Sequence, residues 1–394
     1  MPGASCTLEN CTYMCNYLRA VHQLHVICSG QTQFDYNEME NLTIAYPGAV
    51  QVRNDDGYIP VHSAIKNKCQ EKAIHILVDC WPESLSVPDE NGALCIHLAC
   101  TYGTSSLISY IYINLPSAIS IKDDYGNLPL HLIIRECNSH THNFIKSTVE
   151  WFRQATLLRN NDGDLPIHLV CRHAQQHEQP FLIARTILKW WPDSVAESNH
   201  EGMLPLHIIC QNYESLPMLS LVHQCYTDAA IVRAGSHGKT PLHFALECPP
   251  QQQLAVTDAL LQENTACVRI RDNNGNLPIH ISLQSGLVNL RVVELLIGAW
   301  PKSLVVRNKM GLLPLHLACY HQYPHIISYV MGKNTAAIKA KDRNGWIPLH
   351  YACSNNVVPS TEVLRQLVNE YPESCKVACA ISITDHEEEE MIEL

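Results

Sequence analysis

A seven-residue stretch, Leu313-Pro314-Leu315-His316-Leu317-Ala318-Cys319, recurs in variant form along nearly the whole chain of 394 residues. Its histidines are His25, His62, His97, His131, His168, His207, His243, His280, His316 and His350, set 34 to 39 residues apart. A period of that size marks stacked supersecondary units, each too small to bury its apolar face alone. The repeats therefore override the two or three domains that length alone would suggest.

Each histidine sits in a fixed frame. Five residues before all but the first, His25, stands a glycine: Gly57, Gly92, Gly126, Gly163, Gly202, Gly238, Gly275, Gly311 and Gly345. Asp or Asn often lies three residues before the glycine, as in Asp123, Asn160, Asp272 and Asp342. That is turn chemistry, because glycine takes positive φ freely and Asx side chains bond the nearby backbone. Proline two residues before the histidine suits the first turn of a helix. Sixteen residues before the histidine comes a second mark: Tyr46-Pro47, Trp81-Pro82, Leu115-Pro116, Trp191-Pro192 and Trp300-Pro301, with Tyr371-Pro372 at the end. Proline there is expected to end the second helix of the preceding unit. Apolar residues at i, i+3, i+4, such as Val293, Leu296 and Ile297, define that helix. The variable length falls after the histidine, so His173–Pro180 and Cys248–Gln252 are expected to emerge between the two helices.

A turn, helix, loop and helix, opened by Gly-x-(Leu/Thr)-Pro-Leu-His, resembles the ankyrin repeat. Gly238-Lys239-Thr240-Pro241-Leu242-His243-Phe244-Ala245 carries the resemblance most fully, and the Tyr/Trp-Pro variant looks like long ankyrin-like arrays of diatoms and related protists. The resemblance implies an all-α, ankyrin-like α-solenoid of about ten helix-loop-helix repeats over residues 15–380, with a degenerate first repeat around His25 as a cap. It also implies a Thr–His hydrogen-bond network tying the turns together. Most units here have Leu or Ile in place of the Thr, which puts that network in question.

Residues 1–14 form a short polar segment before the array. Residues 381–394 form an acidic tail, expected to be disordered and solvated. Its Asp385, Glu387, Glu388, Glu389, Glu390 and Glu393 supply six of the net eleven negative charges, leaving five for the rest. The start lacks a basic region followed by an apolar core, and Leu107–Ile121 is too short and polar to span a bilayer. An intracellular protein, cytoplasmic or nuclear, with no membrane contact and monomeric, is the expectation. Of eighteen cysteines, Cys28, Cys100, Cys171, Cys210, Cys319 and Cys353 lie three residues after a repeat histidine, a position for a small buried hydrophobe.

Catalysis finds little support. Gly238-Lys239-Thr240 has the end of a phosphate-binding loop, but Arg233 stands where that loop needs its first glycine. His168, Cys171, His173 and His177, and again His316, Cys319, His321 and His325, have some metal-ligand spacing. The first histidine of each set belongs to the repeat motif, so no metal, cofactor or enzyme activity is expected.

The remaining reading is a non-catalytic scaffold or adaptor that holds a protein partner on the concave face of the array. Two features nominate a surface. Nine residues before the histidines stand Arg53, Lys122, Arg159, Arg271, Arg307 and Lys341, six basic residues of nine. They either pair with nearby carboxylates such as Asp124 and Asp342 or form a row that docks an acidic segment, of a partner or of the tail. Interleaved acidic residues argue against nucleic acid. Near the C-terminus, Met310, Leu312, Tyr320 and Trp346 are either ordinary inter-repeat packing or an exposed anchor for a partner. An alternative function is an autoregulated module whose acidic tail competes for the basic row.

Overall fold

The computed structural model describes residues 8–30, 36–136, 141–176, 179–212, 216–284, 288–321, 323–354 and 360–376. The acidic tail and His177 lie outside the described residues. The chain divides into two compact units, Met1–Ser194 and Val195–Leu394. Each is built from the same repeat, and the described residues contain helices and one isolated bridge, Ala234–Lys239, but no strand.

In the Val195–Leu394 unit the first helices are Pro205–Asn212, Pro241–Leu246, Pro278–Gln284, Pro314–Tyr320 and Pro348–Ser354. They stack side by side, and their second helices, from Leu216–Cys225 to Thr361–Glu370, form the layer behind. The Met1–Ser194 unit repeats the scheme with first helices Leu8–Cys28, Pro60–Lys66, Cys95–Tyr102, Pro129–Arg135 and Pro166–Arg172. The Leu8–Cys28 helix is three times the usual length and begins inside the polar segment that precedes the array.

Proline sets where each first helix starts. The residue before it is held extended, as at Leu313 with φ −87° and ψ 160°, so the helix opens at Pro314 with the missing N–H costing nothing. Leu315, His316, Leu317, Ala318 and Cys319 are then all buried, because this short helix is sandwiched between its neighbours. The repeat cysteines Cys28, Cys100, Cys171, Cys210 and Cys319 are buried too. Cys353 differs and is exposed: among the described residues its helix is the last of the first helices, and no further one covers it.

The aromatic-proline mark does more than end a helix. Trp81, Leu115, Trp300 and Tyr371 cap second helices, each N–H bonding the carbonyl four residues back. The proline then opens a five-residue 3₁₀ helix, such as Pro82–Ser86, Pro116–Ser120 or Pro301–Val305. Periodicity alone missed this element, since five residues carry too little of it. The aromatic rings of the mark meet the preceding repeat: Arg269 lies 5.8 Å over the Trp300 ring and Lys339 4.8 Å over Tyr371. The insertion at Cys248–Gln252 also departs from expectation. Instead of only widening the loop, it lengthens the second helix to fourteen residues, Pro250–Glu263.

Candidate protein-docking surface

The histidines hold the frame on which any surface residue sits. In eight repeats Nδ1 accepts the N–H of the residue three before it, at 3.0–3.2 Å, from Leu94 onto His97 to Ile347 onto His350. This is the side-chain-to-cap half of a capping box, with imidazole in place of carboxylate. Nε2–H donates onward to a carbonyl of the following segment: His97 to Ile121 at 3.0 Å, His207 to Val232 at 3.0 Å, His280 to Leu312 at 3.2 Å and His316 to Ala340 at 3.0 Å. The network therefore survives the loss of the threonine, because its donor is the backbone. Thr240 alone adds a hydroxyl bond, 2.7 Å to His243 Nδ1.

Where both bonds form, as at His207 and His280, one neutral tautomer satisfies them. Desolvation pushes His62, His131, His207 and His280 down to about 4, against smaller opposing contributions from backbone bonds and, for His62, from Asp89. These imidazoles are committed to structure. His168 and His316 are thus unavailable as metal ligands, and His173 bonds Gln176 at 3.3 Å. Among the described residues no three His, Cys, Asp or Glu side chains converge on a common point that could hold a metal. Lys239 and Thr240 are likewise engaged, the lysine with Glu247 at 2.5 Å and the threonine with His243.

The turns stack by the same logic. The Asx carboxyl or amide oxygen accepts two backbone N–H groups, as Asp342 does from Asn344 at 2.9 Å and Trp346 at 2.8 Å. Successive tips then bond each other, Lys309 N–H to the Asn274 carbonyl and Arg343 N–H to that of Met310. Gly311 sits at φ +80°, and a Cβ there would meet Arg343 N at 2.8 Å. Glycine is needed twice over, for its conformation and for the close approach.

Members of the basic row bond backbone carbonyls instead of the nearby carboxylates. Several of its members reach across to the same position of the next repeat and bond a backbone carbonyl: Arg53 to Pro88 at 2.6 Å, Lys122 to Arg159 at 2.6 Å, Arg271 to Arg307 at 3.1 Å and Arg307 to Lys341 at 2.5 Å. Arg159 turns inward to the Gly163 carbonyl at 2.8 Å. The row is a set of staples between turns. Among the described residues no carboxylate forms an ion pair with Arg53, Lys122, Arg271, Arg307 or Lys341, so the staples keep their charge.

What surrounds that charge differs along the chain. The tips of the Met1–Ser194 unit carry exposed Asp55, Asp56, Glu90, Asp124 and Asp162. Those of the His316 and His350 repeats carry exposed Lys309 and Arg343 instead. Sequence reasoning missed this pair, although both stand seven residues before a repeat histidine. Among the described residues, the side chains of Lys309, Lys341 and Arg343 make no hydrogen bond or ion pair.

The aromatic residues lie beside them. Met310 is 60 % exposed and Tyr320 39 % exposed, whereas Leu312 is only 9 % exposed and belongs to the core. Trp346 is half-buried. Tyr351 ties the cluster together: its ring lies 5.5 Å from Trp346 and 6.5 Å from Tyr320, both tilted edge to face. Its hydroxyl donates to Asp342 at 2.6 Å, and burial, helped by this bond, pushes the phenol above its ordinary range. The signal for Tyr351 was available, since the residue after the repeat histidine is aliphatic or small in most repeats.

Elsewhere on the first helices the equivalent positions cancel. The residues four before and four after the histidine bridge each other in three repeats: Tyr58 with Lys66 at 3.1 Å, Asp164 with Arg172 at 2.9 Å, and Lys239 with Glu247 at 2.5 Å. In the His316 and His350 repeats the same pairs are Leu312 with Tyr320 and Trp346 with Ser354, which leaves an apolar patch. An open groove of about 880 Å³ between the second helices Pro250–Glu263 and Leu290–Ala299 has Arg291 already paired with Glu294 at 2.9 Å.

Stacked turn-helix-loop-helix units held by buried histidines define a helical-repeat protein with exposed turn tips as its variable part. Family models described as ankyrin repeats match residues 289–378 (three copies) and 76–133 (many copies). Those two stretches are ankyrin repeats, which are generally protein–protein interaction modules. The family is typically non-catalytic. No curated protein matches the sequence. No helix among the described residues is long and apolar enough to cross a membrane.

Proposed function

We propose that this protein is a non-catalytic scaffold that binds a partner protein through the His316 and His350 repeats, by a segment that combines acidic and apolar residues. The observation that carries the reading is a juxtaposition. Met310, Tyr320, Trp346 and Tyr351 form an aromatic and methionine patch, and Arg307, Lys309, Lys341 and Arg343 flank it with no ion pair among the described residues. Aromatic anchors supply most of the energy of a typical interface. Unneutralised cations at its rim steer an acidic segment and select against a basic one.

Selecting a random peptide library on the full chain tests this. Enriched peptides should pair carboxylates with bulky apolar residues. Their affinity should fall at least about tenfold on Lys309→Glu with Arg343→Glu, or on Met310→Ser with Tyr320→Ser, about 1.4 kcal/mol or more. These are exposed positions, so circular dichroism should stay unchanged. Peptides that are basic, or that bind the charge-reversed chain equally well, would overturn the reading.

A further inference from the structure

The occupant of the basic tips can be sought within the chain itself. In each other repeat the chain runs from the aromatic-proline mark to a turn tip, seven residues from Trp300 to Arg307. The last described residue, Lys376, stands five residues past Tyr371 and ends the helical residues 374–376, which replace the 3₁₀ helix that follows the mark elsewhere. Lys376 belongs to the His350 repeat, whose tip bears Lys341 and Arg343. From Lys376, the carboxylates between Asp385 and Glu393 are nine to seventeen residues away. At about 3.3 Å per residue that is a reach of roughly 30–55 Å, and neighbouring repeats pack about 10 Å apart. The tips of the His350 and His316 repeats are both within range.

Charge complements distance. The segment 381–394 holds six carboxylates with no Lys or Arg. The two tips hold four cations, of which Lys309, Lys341 and Arg343 have unpartnered side chains among the described residues. Attachment to the same chain gives such a segment an effective concentration on the order of millimolar, so even a weak site is filled. The acidic tips of the other unit would repel it.

We propose that the acidic segment 381–394 occupies the basic turn tips of the His316 and His350 repeats and shields them from an acidic partner. The proposal rests on the reading of those tips as the binding surface and adds their regulation: a partner must displace the segment. Displacement grows easier as salt rises, since the Debye length falls from about 10 Å at 0.1 M to about 3 Å at 1 M.

Zero-length carbodiimide crosslinking of the full chain, read by peptide mass spectrometry, tests the contact without any partner. The reagent joins a carboxylate to an amine only where the two touch. Crosslinks from 381–394 should concentrate on Lys309 and Lys341 over the exposed Lys302 and Lys333 of the same repeats. Their yield should be independent of protein concentration and should fall several-fold in 1 M salt. Crosslinks spread evenly over these four lysines, absent altogether, or rising with protein concentration would each overturn the proposal, the last by pointing to a second copy. A full-chain variant with Glu387→Gln, Glu388→Gln, Glu389→Gln and Glu390→Gln should bind the selected acidic peptides several-fold more tightly at low salt. Unchanged affinity would also overturn it. Failure of the crosslinks leaves the docking surface standing, and failure of the peptide selection leaves the crosslinks interpretable.

Discussion

A buried imidazole that accepts a backbone N–H through Nδ1 cannot be protonated without losing that bond. His131, His207 and His280, which accept that bond, and His62, whose Nδ1 accepts none, are all pushed down to about 4 by desolvation, whereas in the unfolded chain they titrate near 6.5. The unfolded state therefore binds more protons between those values, and stability falls as pH falls. Each of the four contributes about 3 kcal/mol that is fully present above about pH 6.5 and lost as pH approaches 4. Urea midpoints should hold steady from pH 8 to 7 and drop steeply between pH 6 and 4.5; a flat profile would mean these histidines titrate normally. His280→Ala should cost about 2–4 kcal/mol at pH 7.5, since the Leu277 N–H and the Leu312 carbonyl lose their partner. The same variant should lose less on acidification than the parent chain, a change that mere loss of packing would not produce.

Turn and helix glycines separate by environment. Gly311→Ala forces a side chain into φ +80° and against Arg343 N, so it should destabilise by about 1–2 kcal/mol or more. Gly298 lies within the helix Leu290–Ala299, and a Cβ there would meet nothing within 4 Å. Gly298→Ala should stabilise by about 0.5–1 kcal/mol. Thermal melts of the two variants should move in opposite directions. The bridges between turn and first helix are worth less. A double-mutant cycle on Lys239 and Glu247, both partly exposed, should give under about 1 kcal/mol despite the short contact.

Among the described residues the His350 repeat is the last of its stack. Cys353 is exposed, whereas Cys319 at the same repeat position is buried. A thiol reagent should modify Cys353 in the native protein within minutes and reach Cys319 only as the repeat opens. If Cys319 reacts as fast as Cys353 without denaturant, the terminal repeats do not pack as described. Function also belongs to this scale, because the candidate surface is made from the tips and first helices of two repeats and exists in neither alone.

The recurrence of Gly-x-Leu-Pro-Leu-His determined the number of repeats, their register and the starts of the first helices. Proline, glycine and Asx act through the backbone within a few residues, so their consequences can be read locally. Tertiary structure decided what the variable positions do. Arg271 and Arg307 became staples because the next repeat brings a carbonyl within reach, and that neighbour lies more than thirty residues away in sequence. The Thr–His bond, by contrast, persisted for a local reason: its donor is the N–H of the residue before each proline, three residues from the histidine, whatever side chain that residue carries. Leu312 went into the core and Tyr351 to the middle of the aromatic patch for a tertiary reason: burial depends on which repeat lies alongside, and a single chain position does not encode its neighbour across the stack.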